Sequence, residues 1–192
     1  MKVTLTDHTT NPEFKIAQCA AICYDADTSD DACKRRMEKL MNVKHLATLR
    51  FAYATFHVSG ISRACSHQLV RHPHLSYLQR SQRYCNDTEQ EWVAPDSIND
   101  DILNGEWDNA RTACQIAYDT AIAAGVPKGD ARYILPQAVT TELYISGNFQ
   151  AWYDFLINRL DKSAQWEIRQ VAERIRDELV GIAPNVFKEF TK

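Results

Sequence analysis

Apolar positions along the chain follow two periods. Residues 51–59 (FAYATFHVS) and 138–146 (AVTTELYIS) are rich in aromatic and β-branched side chains, which predicts two strands. A shorter strand is predicted over 3–6 (VTLT), and residues 76–84 alternate loosely enough to read as extended. Elsewhere the period is helical. Val171, Ile175 and Leu179 form an i, i+4, i+8 stripe, which predicts a helix over 164–179. Asn11-Pro12 opens a helix reaching about residue 24, because proline is tolerated in the first turn. Asp30-Asp31 caps another over 31–41, whose bases suit a helix C-terminus. Further helices are predicted over 61–70, 106–124 (closed by Gly125 and Pro127), 128–135 (stopped by Pro136) and 149–159. The polar stretch 86–105, with Pro95, Asn99-Asp100-Asp101 and Gly105, reads as a loop holding at most a short helix. Helices outweigh strands, and no linker, repeat or low-complexity tract interrupts them. The expected fold is α+β: a single domain over 1–192, with a small, mostly antiparallel sheet flanked by helices.

Composition narrows the function classes. A chain of 192 residues, 45% hydrophobic, is long enough to bury a core. None of its six glycines forms G-x-G-x-x-G or a P-loop, so nucleotide phosphates are not held in either of those ways. No apolar run approaches transmembrane length, and the first residues lack a signal-peptide core, which predicts a cytoplasmic protein. The six cysteines form no C-x-x-C pair and have no histidine at zinc-motif spacing. They are expected to be reduced structural thiols, and no metal site is expected.

The net charge of −3 conceals an asymmetry. Residues 39–86 contain no Asp or Glu, but hold Lys39, Lys44, Arg50, Arg63, Arg71, Arg80, Arg83 and five of the six histidines. That stretch carries +7 and the rest of the chain −10, a pattern that asks for an anionic ligand. On a helix over 61–70, Arg63, His67 and Arg71 share one face, with Gln68 three residues before Arg71. On a strand over 76–84, Gln79, Ser81 and Arg83 point to one side and Ser76, Arg80 and Gln82 to the other. A serine and an arginine two apart on one face make a phosphate clamp, the hydroxyl and the planar guanidinium both donating to oxygen. A nucleic-acid polymer fits poorly, since its affinity needs many phosphate contacts and the whole chain is acidic. Downstream, residues 129–137 (GDARYILPQ) carry Arg132, and residues 148–170 carry Asn148, Asp154, Asn158, Arg159 and Trp166.

Taken in order, FAYATFHVSG, ISRACSHQLVRH, SYLQRSQRY, DARYILP, the Asn148-led helix ending in Arg159, and AQWEIR closely resemble the flavin-dependent (alternative) thymidylate synthases, from about His45 to Leu179. The family's R-H-R, Glu-x-Ser-x-Arg signature is met by Arg71-His72, Ser81, Arg83 and Tyr84. The resemblance implies a homotetramer with active sites where subunits meet, and FAD bound without a Rossmann fold. It implies conversion of dUMP to dTMP, with methylenetetrahydrofolate as carbon donor and NADPH reducing the flavin. It carries dUMP binding onto Gln68, Arg71, Gln79, Arg80, Ser81, Gln82, Arg83, Arg132 and Arg159. It carries FAD binding onto Arg71, His72, His74, Gln79, Asn148 and Asp154, and the catalytic role onto Arg159, whose guanidinium beside N3 of the uracil would stabilise the ring anion.

The chain departs from the family pattern on the flavin side. Pro73 replaces the third Arg of R-H-R, so one flavin phosphate contact is lost or supplied elsewhere, as by His74. Leu78-Gln79 replaces Asn-Glu and removes a carboxylate. Gln150 stands where the family has a second cation, Asp154 where it has Asn, Ser163 where it has a flavin-near His, and Ala47 follows His45 as the small FAD-side residue. These departures keep two alternatives open: a flavin- and folate-dependent pyrimidine-nucleotide hydroxymethylase, and a non-catalytic nucleotide-binding relative.

Overall fold

Every second residue along one strand is enclosed: Ala54, Phe56 and Val58 are fully buried, while Tyr53, Thr55 and His57 face the other side. This alternation places the strand between a helical core and a more open face. The computed structural model describes residues 1–88 and 90–191. Its strands are β1 (Lys2–His8), β2 (Tyr53–Ser62), β3 (Leu75–Gln79) and β4 (Thr140–Asn148), joined in the order β1-β2-β4-β3 as a small antiparallel sheet. The helices are α1 (Pro12–Ala21), α2 (Asp30–Asn42), α3 (Arg63–Leu69) and α4 (Asp101–Ala123). They continue as α5 (Lys128–Ala131), α6 (Phe149–Arg159), α7 (Trp166–Ile182) and α8 (Pro184–Phe187), with short 3-10 turns between some of them. The expected α+β class is what the chain adopts. At Gly147 of β4 a Cβ would fall 2.2 Å from Leu75 Cδ2 of β3, so a larger residue there would have to displace the end of the Leu75 side chain.

The described residues form two compact units, with β2, α3, β3 and β4 each contributing to both. The larger comprises residues 2–58, 68–78 and 144–191. Its core is the sheet face of β2 against α6, with the α7 stripe Val171, Ile175 and Leu179 fully buried as its periodicity predicts. Trp152 lies at the centre. It is fully enclosed, donates from Nε1 to the Ala54 carbonyl at 3.0 Å, and meets Phe56 and Phe155 edge-on at 5.0 and 5.7 Å. The Glu13 carboxylate of α1 accepts from the Asn185 and Val186 backbone N–H groups, at 2.6 and 3.3 Å, and so caps α8.

The smaller unit comprises residue 1, residues 59–67 and residues 79–143. Three sequence expectations are corrected here. The stretch 86–105 is not all loop. Asp100 accepts from Ile102 N and Leu103 N at 2.8 and 3.1 Å, and this cap starts the 23-residue α4 five residues early. Tyr118 is the one buried residue of α4. The predicted strand 76–84 stops at Gln79. The Ser81 carbonyl accepts from Tyr84 N and Cys85 N, turning the chain, so the strand-face pairing of Ser81 with Arg83 does not exist. Finally, β2 continues through Ser62, and the helix predicted over 61–70 is only Arg63–Leu69, leaving Arg71 beyond its end.

Replacing Trp152 by Ala is expected to cost about 3–5 kcal/mol, as deep aromatic truncations do. Urea unfolding of wild type and Trp152→Ala measures it; an unchanged midpoint would remove Trp152 from the core.

Candidate functional site

The cationic chemistry of the smaller unit is organised by Asp87, the first acid after the acid-free stretch. Its side chain is 1% exposed. Arg80 Nη1 donates to Asp87 Oδ1, and Gln82 Nε2 donates to Oδ2 at 2.8 Å. Arg80 Nη2 also donates to the Asn86 carbonyl at 2.8 Å. Burial alone would lower the Arg80 pKa, but the Asp87 carboxylate reverses this and raises it. Helix α4 secures the arrangement from its one buried residue: the Tyr118 hydroxyl accepts from Asp87 N at 3.2 Å, and Gln115 Nε2 donates to the Asp87 carbonyl at 3.2 Å. Two residues predicted to face substrate, Arg80 and Gln82, are thus tied to an internal carboxylate.

Beside this pair the turn 81–85 lies against α5. Lys128 Nζ donates to the Tyr84 carbonyl at 3.0 Å, and a Cβ on Gly129 would stand 3.7 Å from Arg83 Cγ. Arg83 itself is exposed, with its guanidinium 5.8 Å from the Tyr84 ring centre. Arg132 Nε donates to the Gly129 carbonyl at 3.0 Å, and Ser81 Oγ accepts from Arg83 N at 3.3 Å. A cleft of about 460 Å³ opens here, lined by Arg63, His67, Gln82, Arg132, Gln137 and neighbouring apolar residues, with no carboxylate in its wall. Gln79 is anchored separately, donating from Nε2 to Ser66 Oγ at 2.9 Å and to Thr141 Oγ1 at 3.2 Å.

In the larger unit the site is built on the C-terminal end of α3, where carbonyls lack helical partners. Arg159, the last residue of α6, donates from Nη2 to the Gln68 carbonyl at 3.1 Å. The Tyr77 hydroxyl lies 2.7 Å from the Leu69 carbonyl and 3.1 Å from the His72 carbonyl. Burial pushes the Tyr77 phenol up to about 12, against the opposing pull of Arg159, so it stays protonated and donates. His72 is buried edge-on against Phe155, with ring centres 5.4 Å apart. Burial, with the smaller effects of Arg159 and His74, outweighs a hydrogen bond to the Ala151 backbone and Asp154, and lowers its pKa. The buried Nε2 of His72 and Nε of Arg159 have no hydrogen-bond partner among the described residues. Such polar atoms are costly inside a protein and are suited to a ligand. His74, exposed, takes the left-handed conformation at φ 65.

The other residues expected from the sequence to face a flavin are also in this unit. Asn148 Oδ1 caps α6 by accepting from Ala151 N at 2.9 Å. Gln150 Nε2 donates to Asp154 Oδ1 at 3.0 Å, an i, i+4 pair along α6. Ser163 donates from Oγ and N to Asp161 Oδ1, at 2.5 and 2.8 Å, in an exposed turn. Sequence reasoning missed Asp87 and left Arg63 without a ligand. The position of Asp87 at the boundary of the acid-free stretch was the available signal for it.

A family model described as "Thymidylate synthase complementing protein" matches residues 4–185. The chain is 35% identical over 200 residues to a protein of Geobacter sulfurreducens named flavin-dependent thymidylate synthase, covering 98% of this chain and 86% of that one. A Pyrococcus furiosus protein of the same name is 36% identical over 192 residues, covering 93% and 79%. One of Mycobacterium sp. strain KMS is 36% identical over 174 residues, covering 80% and 68%.

Burial lowers the His72 pKa, so the folded chain holds this proton less tightly than the unfolded one, in which histidine titrates near 6.5. The unfolded chain therefore binds the extra proton, and stability falls as pH drops below about 6.5. Thermal unfolding between pH 7.5 and 5.5 should show a steeper loss in wild type than in His72→Asn. Equal slopes would mean that His72 carries the same proton in both states.

Proposed function

The chain belongs to the thymidylate synthase complementing protein family, and on that premise we propose that it is a flavin-dependent thymidylate synthase. The reaction is the reductive methylation of dUMP to dTMP, with methylenetetrahydrofolate as carbon donor and NADPH reducing the flavin. The observation that carries this reading is Arg159: half-buried, fixed by one nitrogen on the Gln68 carbonyl, with its Nε left without a partner among the described residues. A guanidinium held in this way is already oriented, so it spends little ordering entropy on meeting an anion.

The residues divide by chemistry. Ser81, Arg83 and Arg132 offer the donors suited to the nucleotide phosphate, and Gln68, Arg71, Gln79 and Arg159 those suited to the base and sugar. Arg80 and Gln82, held by Asp87, act mainly by fixing the turn that carries Ser81 and Arg83. Arg159 at N3 of the uracil would stabilise the ring as its anion and so make it more reactive. FAD, when bound, supplies the hydride. Arg71, His72, His74, Gln79, Asn148 and Asp154 would hold it, and the unpartnered Nε2 of His72 fits such a polar ligand. Asn148 would contribute its amide N–H groups, since its oxygen caps α6. We propose further that residues 1–192 act as one catalytic domain, consistent with a single family model over 4–185, and that the chain works as a homotetramer with active sites at subunit interfaces. Among the described residues, no helix is long and apolar enough to cross a membrane.

Purified protein is expected to carry an oxidised-flavin spectrum that dUMP perturbs. With dUMP, methylenetetrahydrofolate and NADPH, mass analysis should find dTMP. Absence of flavin, even after titration with FAD, would overturn the enzyme reading; a hydroxymethylated nucleotide would replace it with the alternative that Pro73, Gln150 and Ser163 motivate.

Arg159→Ala should retain FAD while turnover falls about 100- to 1,000-fold, the cost of removing one preorganised donor to developing charge. Near-normal turnover would remove Arg159 from the mechanism.

A further inference from the structure

Tyr77 is half-buried in β3, where Leu75, Tyr77 and Gln79 are sheltered and Ser76 and Leu78 are exposed. Its hydroxyl reaches back to the turn that follows α3, 2.7 Å from the Leu69 carbonyl and 3.1 Å from the His72 carbonyl. A phenol has one proton to give, so it is shared between two acceptors three residues apart.

The sequence of the turn creates the need for this donor. A helix continuing past Leu69 would meet that residue's carbonyl with the N–H of residue 73, and Pro73 has none. The His72 N–H donates to the Leu69 carbonyl at 3.0 Å instead, closing a tighter turn. His74 then enters the left-handed region at φ 65, which a non-glycine residue holds only under constraint. The Tyr77 hydroxyl supplies a constraint, because it ties the chain beyond His74 to the backbone before Pro73.

His72 sits inside this turn. Its ring is held from α6, edge-on to Phe155 with centres 5.4 Å apart and hydrogen-bonded to the Ala151 backbone. Its Nε2 is buried and has no partner among the described residues. Helix α6 therefore holds the ring, and Tyr77 holds the backbone from which the ring projects. A shift in either one re-aims Nε2.

We propose that Tyr77 is a positioning residue for the flavin: its hydroxyl fixes the His72 backbone so that Nε2 is presented to the bound cofactor. This rests on the reading above that His72 contacts FAD. The competing role is structural, with Tyr77 stabilising the turn and nothing more. The two roles differ in one measurable respect. A positioning residue acts on the flavin through His72, so its effect vanishes once the imidazole is gone. A purely structural residue acts alike with and without His72.

The test is a double-mutant cycle on the full chain. Wild type, Tyr77→Phe, His72→Asn and the double variant are freed of flavin and titrated with FAD, read by flavin fluorescence, with urea unfolding to show that each is folded. Tyr77→Phe removes one oxygen and should weaken FAD about 5- to 20-fold, within the range for stranding a buried acceptor. In the His72→Asn background the same change should weaken FAD by less than about twofold. Unchanged FAD affinity in Tyr77→Phe, or an equal fold-loss in both backgrounds, overturns the proposal and leaves the flavin reading standing. If Tyr77→Phe does not fold, all four titrations are run in enough sucrose to fold it, under the same criteria. If His72→Asn binds FAD as tightly as wild type, His72 is not a flavin contact, and the proposal falls while the enzyme reading stands. A wild-type chain that takes up no FAD overturns both.

Discussion

One buried carboxylate makes the cationic half of the site possible. Arg63, Arg80 and Arg132 are close enough for each of the other two to disfavour the charge on Arg63. Without a fixed countercharge, such a cluster would spread apart or draw in water. Asp87 supplies that charge, and its two oxygens hold Arg80 and Gln82. A carboxylate this deeply enclosed is itself tolerable only when well bonded, and the Tyr118 hydroxyl and Gln115 amide of α4 hold the Asp87 backbone N–H and carbonyl. The long exposed helix therefore has a local purpose: its one buried residue keeps the countercharge in place. The charge balance stops short of neutrality, so Arg63 and Arg132 still face the cleft with cationic character.

A second constraint acts at the C-terminal end of α3. Three carbonyls, those of Gln68, Leu69 and His72, need donors there, and Arg159 and Tyr77 provide them. One contact thus has two consequences. It completes a short helix, and it fixes the guanidinium on which the proposed chemistry depends. The same packing excludes water from His72, lowers its pKa and leaves its Nε2 without a hydrogen-bond partner among the described residues.

The departures from the family pattern become physically intelligible in this setting. Gln150 and Asp154 satisfy each other along α6, and Ser163 closes a turn with Asp161. Gln150 and Ser163 are thus engaged locally, while the Gln150 contact occupies one oxygen of Asp154. Pro73 precedes His74 in the left-handed conformation, a backbone state that a non-glycine residue holds only when its surroundings impose it. At the positions proposed for the flavin side, pairs that satisfy each other along the chain stand where the family has cations.

Much of the fold was legible because it is local. The strand at 51–59, the strand at 138–146, the helix at 149–159 and the Val171, Ile175, Leu179 stripe each carry the period of a surface that faces a core, and periodicity records that facing. The motif resemblance named the family, which the family model and the relatives show. The start of α4 was not legible: it is set by the Asp100 cap, inside a polar stretch whose Pro95, Asn99 and Gly105 read as loop. Nor was the turn after Gln79, because the alternation of 76–84 persists in sequence while the Ser81 carbonyl turns the backbone. The roles of Asp87 and Tyr77 belong to the tertiary structure alone. Which polar groups satisfy one another across tens of residues, and which is left open to a ligand, depends on burial and distance, and neither has a period in the chain.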